Sequence, residues 1–410
     1  MPVFTSSIEV TADYPTIKPS LYLNFVRSRA LDPRVTFTRS SVGTYVGRDG
    51  LIKTVGDNEP RFDHDPETLE SLGLLIEEPR TNIAEYGTIV GDSNGWYNRP
   101  AFNTAINNSI SPDGTQNATL LTNLNAESDP DLYSFEQFTI GSSKTITHSI
   151  YVKSPDAANV GKEINFRGKR IGGTASSWGQ KFILTAEWQR VTVTHTYQAD
   201  NSAGRAYIGA DPNTTHPAGA ATACLFWGLQ VEVGSFATSF IPTSGSTVTR
   251  AVDQAYILGD NVPLGSGVDE YSFYVRGRLL DTTNYGGISR GLVGMGSSTS
   301  NRIRIPHNNG SAVEIYSGGN LQAALTTGDI GTTERQIALA VKKDDFAMSM
   351  DGGTVQTDTS GDIPLSIDTI GFGQSSYDAP PVTYPSTSYI KEFRIYSKRL
   401  TNAQLQLLTS

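Results

Sequence analysis

Between residues 191 and 197 the chain reads VTVTHTY. The alternation places Val191, Val193, His195 and Tyr197 on one face and Thr192, Thr194 and Thr196 on the other. A period of two marks a strand with one face in a core and the other in water, and a helix does not satisfy it. The same period runs through ITHSIYVK (146–153) and YSFYVRGRL (271–279). Further on, Ile337, Leu339 and Val341 alternate, KKDD turns the chain, Phe346, Met348 and Met350 alternate back, and DGG (351–353) turns it again. That is a β-meander with ordinary turn chemistry. Helical patterns are scarce: residues 66–72 suit one short turn, and TNAQLQLL (401–408) suits a terminal helix with Thr401 as N-cap. The expected class is all-β.

At 410 residues the chain exceeds what one sandwich needs. Its Gly, Pro, Ser and Thr content fits many short strands joined by turns. Two composition breaks suggest boundaries, one after EEPRTN (77–82) and one after FIPTSGSTVTRAVDQ (240–254). The expected organisation is a β-rich lead-in segment (1–85) followed by two tandem jelly-roll sandwiches (86–250 and 255–410). The net charge of -9, with no block of Lys and Arg, argues against a nucleic-acid partner. The single cysteine, Cys224, leaves no disulfide within the chain, and its run ATACLFWGLQVEV suits a buried packing thiol. MPVFTSSIEV has neither a basic nor an apolar leader region, and no apolar run approaches the roughly 20 residues of a membrane helix. Synthesis in a reducing cytoplasm without membrane insertion is expected.

The segment from Leu21 to Asn82 carries TFTRSSVGTYVGRDGLIKT, EPRFDHDP and GLLIEEPRTN in that order. It resembles a module near the start of bacteriophage tail and other virion proteins. Its residues offer strand patterns at Val35, Phe37 and 44–46, the turn GRDG, and an apolar strand at 73–76. Asp63-His64-Asp65 looks like a metal cluster, but a turn whose carboxylates cap amides and pair with Arg61 or Arg80 is the better expectation. The middle block resembles the jelly roll of carbohydrate-binding modules, through SPDGTQNATLL (111–121), THSIYVKS (147–154), AEWQRVTVTHTY (186–197) and the ending GLQVEVG, SFIPT, TRA. The last block resembles the laminin-G-like, or concanavalin-like, jelly roll, through RQIALAVKKDDFAMSMDGGTV (335–355) and YIKEFRIYSKRLTNAQLQLL (389–408).

These resemblances imply a non-enzymatic virion protein, a tail fibre, capsid fibre or similar appendage, located in the particle and assembled in the host cytoplasm. They imply a host-surface glycan and other virion proteins as partners, in a homo-oligomer, often a trimer. No cofactor is implied beyond the structural calcium that such modules often carry at the sandwich rim. Glycans stack their apolar faces on exposed aromatic rings. Trp188 and Trp227 lie in strand patterns that suit a core. Trp96 and Tyr97, Trp178 in GGTASSWGQ, and Tyr377 and Tyr384 in a Pro-rich loop are the expected carbohydrate contacts. Tyr389 is expected to begin the closing strand and pack inward.

No catalytic residue is expected. Glycoside hydrolysis needs two carboxylates across a cleft, and pairs such as Asp129 with Asp131 or Glu187 with Glu232 have no supporting motif. HExxH and P-loop spacings are missing, and His148 and His195 sit inside strand alternation. The alternative readings are an architectural spacer that binds only virion proteins and, behind it, a polysaccharide depolymerase.

Overall fold

The computed structural model describes residues 18–88, 103–124, 133–134, 138–139, 143–171, 177–197, 203–209, 219–264, 267–281, 290–305, 312–326, 328, 330–374 and 386–410. Among them the protein is all-β, with antiparallel sheets and one α-helix, Asn402–Thr409. The chain forms two compact units, one from Met1–Ser40, Asp57–Glu78 and Val252–Ser410, the other from Ser41–Gly56 and Pro79–Ala251.

The first unit is a two-sheet sandwich. One sheet runs Gln356–Asp358, Phe346–Met350, Arg335–Lys342, Glu270–Leu279, Ser388–Tyr396, Ser71–Ile76, Phe62–His64. The other runs Thr36–Thr38, Gln254–Leu258, Thr369–Phe372, Val293–Ser298, Asn301–Ile305, Ala312–Ser317, Asn320–Thr326. The period-two residues of both meet in one apolar core that includes Phe273, Leu339, Met348 and Phe393. The closing strand pairs Ser272 with Tyr396 through to Leu279 with Ser388 on one edge. Its other edge takes two lead-in strands, Leu21–Asn24 (Leu21 opposite Ile395) and Ser71–Ile76 (Leu74 opposite Ile390). Leu21, Leu23, Phe25, Phe37, Leu74 and Ile76 belong to the same core.

The division therefore differs from the expected boundaries, in which residues 1–85 form a segment of their own. Its strands are shared between the units, because each supplies an edge partner or core residues to a sheet completed much later in sequence. The short turn expected at 66–72 is confined to 65–69, where the Leu69 amide closes on the Asp65 carbonyl (2.9 Å). Asp65 accepts the amides of Glu67 and Thr68 in a turn, Leu69 takes a positive φ of 60°, and the strand starts at Ser71.

The second unit packs the sheet formed by Ala203–Gly209, Glu163–Ile171 and Ser177–Ile183, with Tyr133–Ser134 and Phe138–Thr139 on its edge, against a second sheet. That sheet runs Gln189–Thr196, Thr145–Lys153, Ala223–Val233, Ala118–Thr122, Asn103–Ser109. A hairpin, Gly43–Val46 with Ile52–Val55, turns at GRDG as its sequence suggests. Its Ile52 joins a satellite core of Ala118, Trp227 and Phe240, against which Tyr151 and Trp188 pack. Cys224 is fully buried and unpaired, and burial pushes its thiol well above the ordinary range.

The lead-in motifs become legible in one place. Arg61, from EPRFDH, is buried against Glu77, from IEEPR (2.6 Å), and against Asp253, from TRAVD; Asp253 also holds Arg39, from FTRSS (3.1 Å). Burial alone lowers the basicity of Arg61, but Asp253 and Glu77 outweigh it and raise its pKa. Breaking one partner of such a buried network strands a charge, which costs about 3–5 kcal/mol.

Candidate functional site

Of the five expected carbohydrate contacts, Trp96, Tyr97, Tyr377 and Tyr384 lie outside the described residues. Trp178 is described, and its place is the sandwich interior rather than a loop. It stands on Ser177–Ile183 opposite Gly168, and a Cβ at Gly168 would strike the indole. Its ring stacks on His195 (4.2 Å between centroids, 19°) and meets Tyr197 and His148 edge-on at 4.9 and 5.9 Å. At least one indole face is thus taken by the protein, and its buried Nε1 has no hydrogen-bond partner. Trp227 is in the satellite core, and Trp188, packed against that core, donates Nε1 to the carbonyl of Ile110 (3.1 Å).

Tyr389 is buried on the closing strand and donates its hydroxyl to Asp63 (2.6 Å). Asp63 thus accepts from a tyrosine, Arg61 binds Glu77 and Asp253, and Arg80 donates to the carbonyl of Val233. No group of three or more His, Cys, Asp or Glu that could hold a metal ion comes together among the described residues. Of the acid pairs, Asp129 and Asp131 lie outside the described residues. Glu187 is exposed near Lys153, whereas Glu232 is buried and accepts the amide and hydroxyl of Thr238. Glu232 stands opposite Thr147, near one end of the strand Thr145–Lys153, and Glu187 lies near Lys153 at the other.

An exposed aromatic platform does occur, on a strand from the lead-in. In Leu21–Asn24 the leucines at 21 and 23 are core residues, so alternation turns Tyr22 and Asn24 outward. Tyr22 is 47% exposed, a large value for a tyrosine held in a sheet. Register carries two rows across that outer face: Tyr22, Arg394, Tyr274, and then Asn24, Glu392, Arg276. The Arg394 guanidinium lies 5.0 Å from the Tyr22 ring centroid and 5.2 Å from that of Tyr274. Asn24 donates to the Tyr22 hydroxyl (3.0 Å).

Beside these rows, Glu334 accepts from Arg276 and Lys391, both at 2.6 Å. Partial burial opposes ionisation of Glu334, but those two cations outweigh it and hold its carboxyl below the ordinary range. The terminal helix covers the neighbouring part of the same face, burying Leu400, Leu405 and Leu408 against Tyr274, Ala338 and Ala340. The uncovered part combines a flat ring with fixed amide, guanidinium and carboxylate groups. Such a surface can stack a pyranose and hydrogen-bond its hydroxyls. The signal for Tyr22 was available in the alternation of LYLN.

No protein-family model and no curated protein matches the chain. Solved structures do match parts of it. Domain 4 of an extracellular arabinanase from Geobacillus stearothermophilus, solved with arabinotriose, is 14% identical over 43% of this chain and 84% of its own, with a TM-score of 0.29. The Trypanosoma rangeli sialidase is 11% identical over 38% of this chain and 25% of its own, with a TM-score of 0.29. The binding domain of botulinum neurotoxin serotype D/C is 15% identical over 38% and 40%, again with a TM-score of 0.29. This chain therefore spans less than half the length of the latter two. Such low similarity carries no argument about ligand or partner.

Proposed function

We propose that the protein is a non-enzymatic adhesion component of a bacteriophage particle, a tail fibre, capsid fibre or related appendage that contacts host-surface glycans. The observation that carries the adhesive part is Tyr22, an exposed ring backed by Arg394 and set among Asn24, Glu392 and Arg276 on a sheet face anchored in the core. The virion assignment is supported by the order of the lead-in motifs, whose Arg39, Arg61 and Glu77 form one buried network with Asp253 of TRAVD. Sugar contacts of this kind are weak singly and gain strength when copies are linked, which suits a homo-oligomer repeated on a particle. Trp96, Tyr97, Tyr377 and Tyr384 are proposed as further ring contacts.

The test is a glycan array probed with the full chain and with Tyr22→Ala. The expected result is binding by the parent and a roughly tenfold loss in the variant, the scale of one lost ring stack, at an unchanged melting temperature. A blank array with an intact fold favours the architectural spacer. Release of new reducing ends from a bound polysaccharide favours a depolymerase.

A further inference from the structure

We propose that the strand Gln189–Thr196 of the second unit is an edge that pairs with a second copy of this chain, antiparallel about a twofold axis at Thr194. The inference gives the homo-oligomer proposed above an interface, and it stands whether or not Tyr22 meets a sugar. The strand ends its sheet and pairs on one side only, with Thr145–Lys153. The Tyr197 amide reaches the Lys144 carbonyl at 2.8 Å, so Tyr197 and every second residue before it turn their backbone groups towards that neighbour. Thr192, Thr194 and Thr196 therefore point theirs out of the sheet, where they meet no backbone partner among the described residues. Thr194 and Thr196 are exposed.

Such an edge recruits another strand unless a bulge, a charge or a covering segment spoils it. The other long edge strands described carry one of these. Asn103–Ser109 is bulged, with Asn107 at a φ of 51°. Asn320–Thr326 is bulged and gives the Thr326 carbonyl to the side chain of Gln356. Ser177–Ile183 carries the charge of Lys181. Gln189–Thr196 pairs along all 8 residues without a shift of register, and 191–196 contain no acid, lysine, arginine or proline. A second copy suits this edge, because each outward threonine offers one donor and one acceptor and needs the same in return. Pairing about Thr194 sets that residue opposite its twin and Thr192 opposite Thr196 of the other copy. Threonine pairs are what the strand already makes on its inner side, Thr196 with Thr145 at 3.0 Å and Thr194 with Thr147 at 2.9 Å. Copies of a chain of net charge -9 repel one another, but this edge sets no acid against itself.

Sedimentation equilibrium of the full chain is expected to show reversible dimerisation. Thr194→Lys, which sets two cations on the axis, is expected to weaken it roughly tenfold or more at an unchanged unfolding midpoint. Under mild oxidation Thr194→Cys is expected to give a dimer linked through position 194, since facing residues of such a pair have Cα atoms about 5.5 Å apart. Leu365→Cys, at a side chain 77% exposed in the first unit, is to stay unlinked, and the buried Cys224 does not compete. Tyr22→Ala is to leave self-association unchanged, so a blank glycan array and a missing dimer are separate results. Self-association that Thr194→Lys leaves intact overturns the proposal, as does a Thr194→Cys variant that links no faster than Leu365→Cys. A parent monomeric at the highest attainable concentration overturns it as well. Slow hydrogen exchange of the Thr192, Thr194 and Thr196 amides in that monomer then means cover from within the chain, and fast exchange means an edge kept for a foreign strand.

Discussion

His148 shows what alternation reveals about a residue and what it hides. Its place in a strand is visible in the sequence, but its surroundings are not. It is fully buried, 5.4 Å from the ring of Phe138 and edge-on to Trp178; Nε2 is 3.5 Å from the Tyr197 hydroxyl and Nδ1 has no partner. Burial, and secondarily the charge of His195, lower its pKa from 6.5 to about 3. The native state thus refuses a proton that the unfolded chain accepts. The stability contributed is complete above pH 6.5 and is lost as pH falls towards 3, on the order of 5 kcal/mol in all. Urea unfolding at pH 7 and pH 4.5 should show a loss of roughly 2–3 kcal/mol in the parent that is largely missing in His148→Leu. Parallel losses in both proteins contradict this account. Trp178 teaches the converse lesson. Its Gly- and Ser-rich neighbours read as a loop, yet small residues also let an indole lie flat on a facing strand, as Gly168 does here.

At the scale of elements, strands declared themselves wherever their neighbours alternated, and the C-terminal helix declared itself through its cap. Thr401 accepts the amide of Gln404, whose side chain returns to the Thr401 amide, in a reciprocal capping box. The helix then places Leu405 and Leu408 over a sheet face made smooth by Ala338, Ala340 and Ala347. Thr401→Ala should cost about 1 kcal/mol and Leu405→Ala about 2–5 kcal/mol in chemical denaturation, a difference that ranks packing above capping. What could not be read was which strands pair. Leu21–Asn24 and Ser71–Ile76 meet Ser388–Tyr396 across more than three hundred residues, and no local pattern encodes so distant a partner. The alternation of LYLN turns Tyr22 outward, but that this strand forms at all depends on a distant partner. The exposure of Tyr22 follows from the strand that Leu21 and Leu23 bury, and that strand is held only by the end of the chain.

For the whole molecule, the consequence concerns what can fold alone. A fragment of residues 255–410 has the length of a sandwich but lacks the edge strands and core residues supplied by 18–40 and 57–78, and it lacks Asp253, the shared anion of Arg39 and Arg61. It would expose an unpaired closing strand, a template for aggregation. The fragment should therefore be insoluble or give a poorly dispersed amide spectrum, whereas the full chain gives a cooperative transition. A soluble, cooperatively folding 255–410 fragment contradicts the described pairing. No described helix is long and apolar enough to cross a membrane. What this architecture offers is a rigid sheet face, on which Arg394 braces Tyr22. The most direct measurement is a crystal structure of the full chain with the tightest glycan from the array. The account predicts a sugar ring lying on Tyr22 with hydroxyls within hydrogen-bond reach of Asn24, Glu392 or Arg276; an empty Tyr22 face with the sugar held between two carboxylates would contradict it.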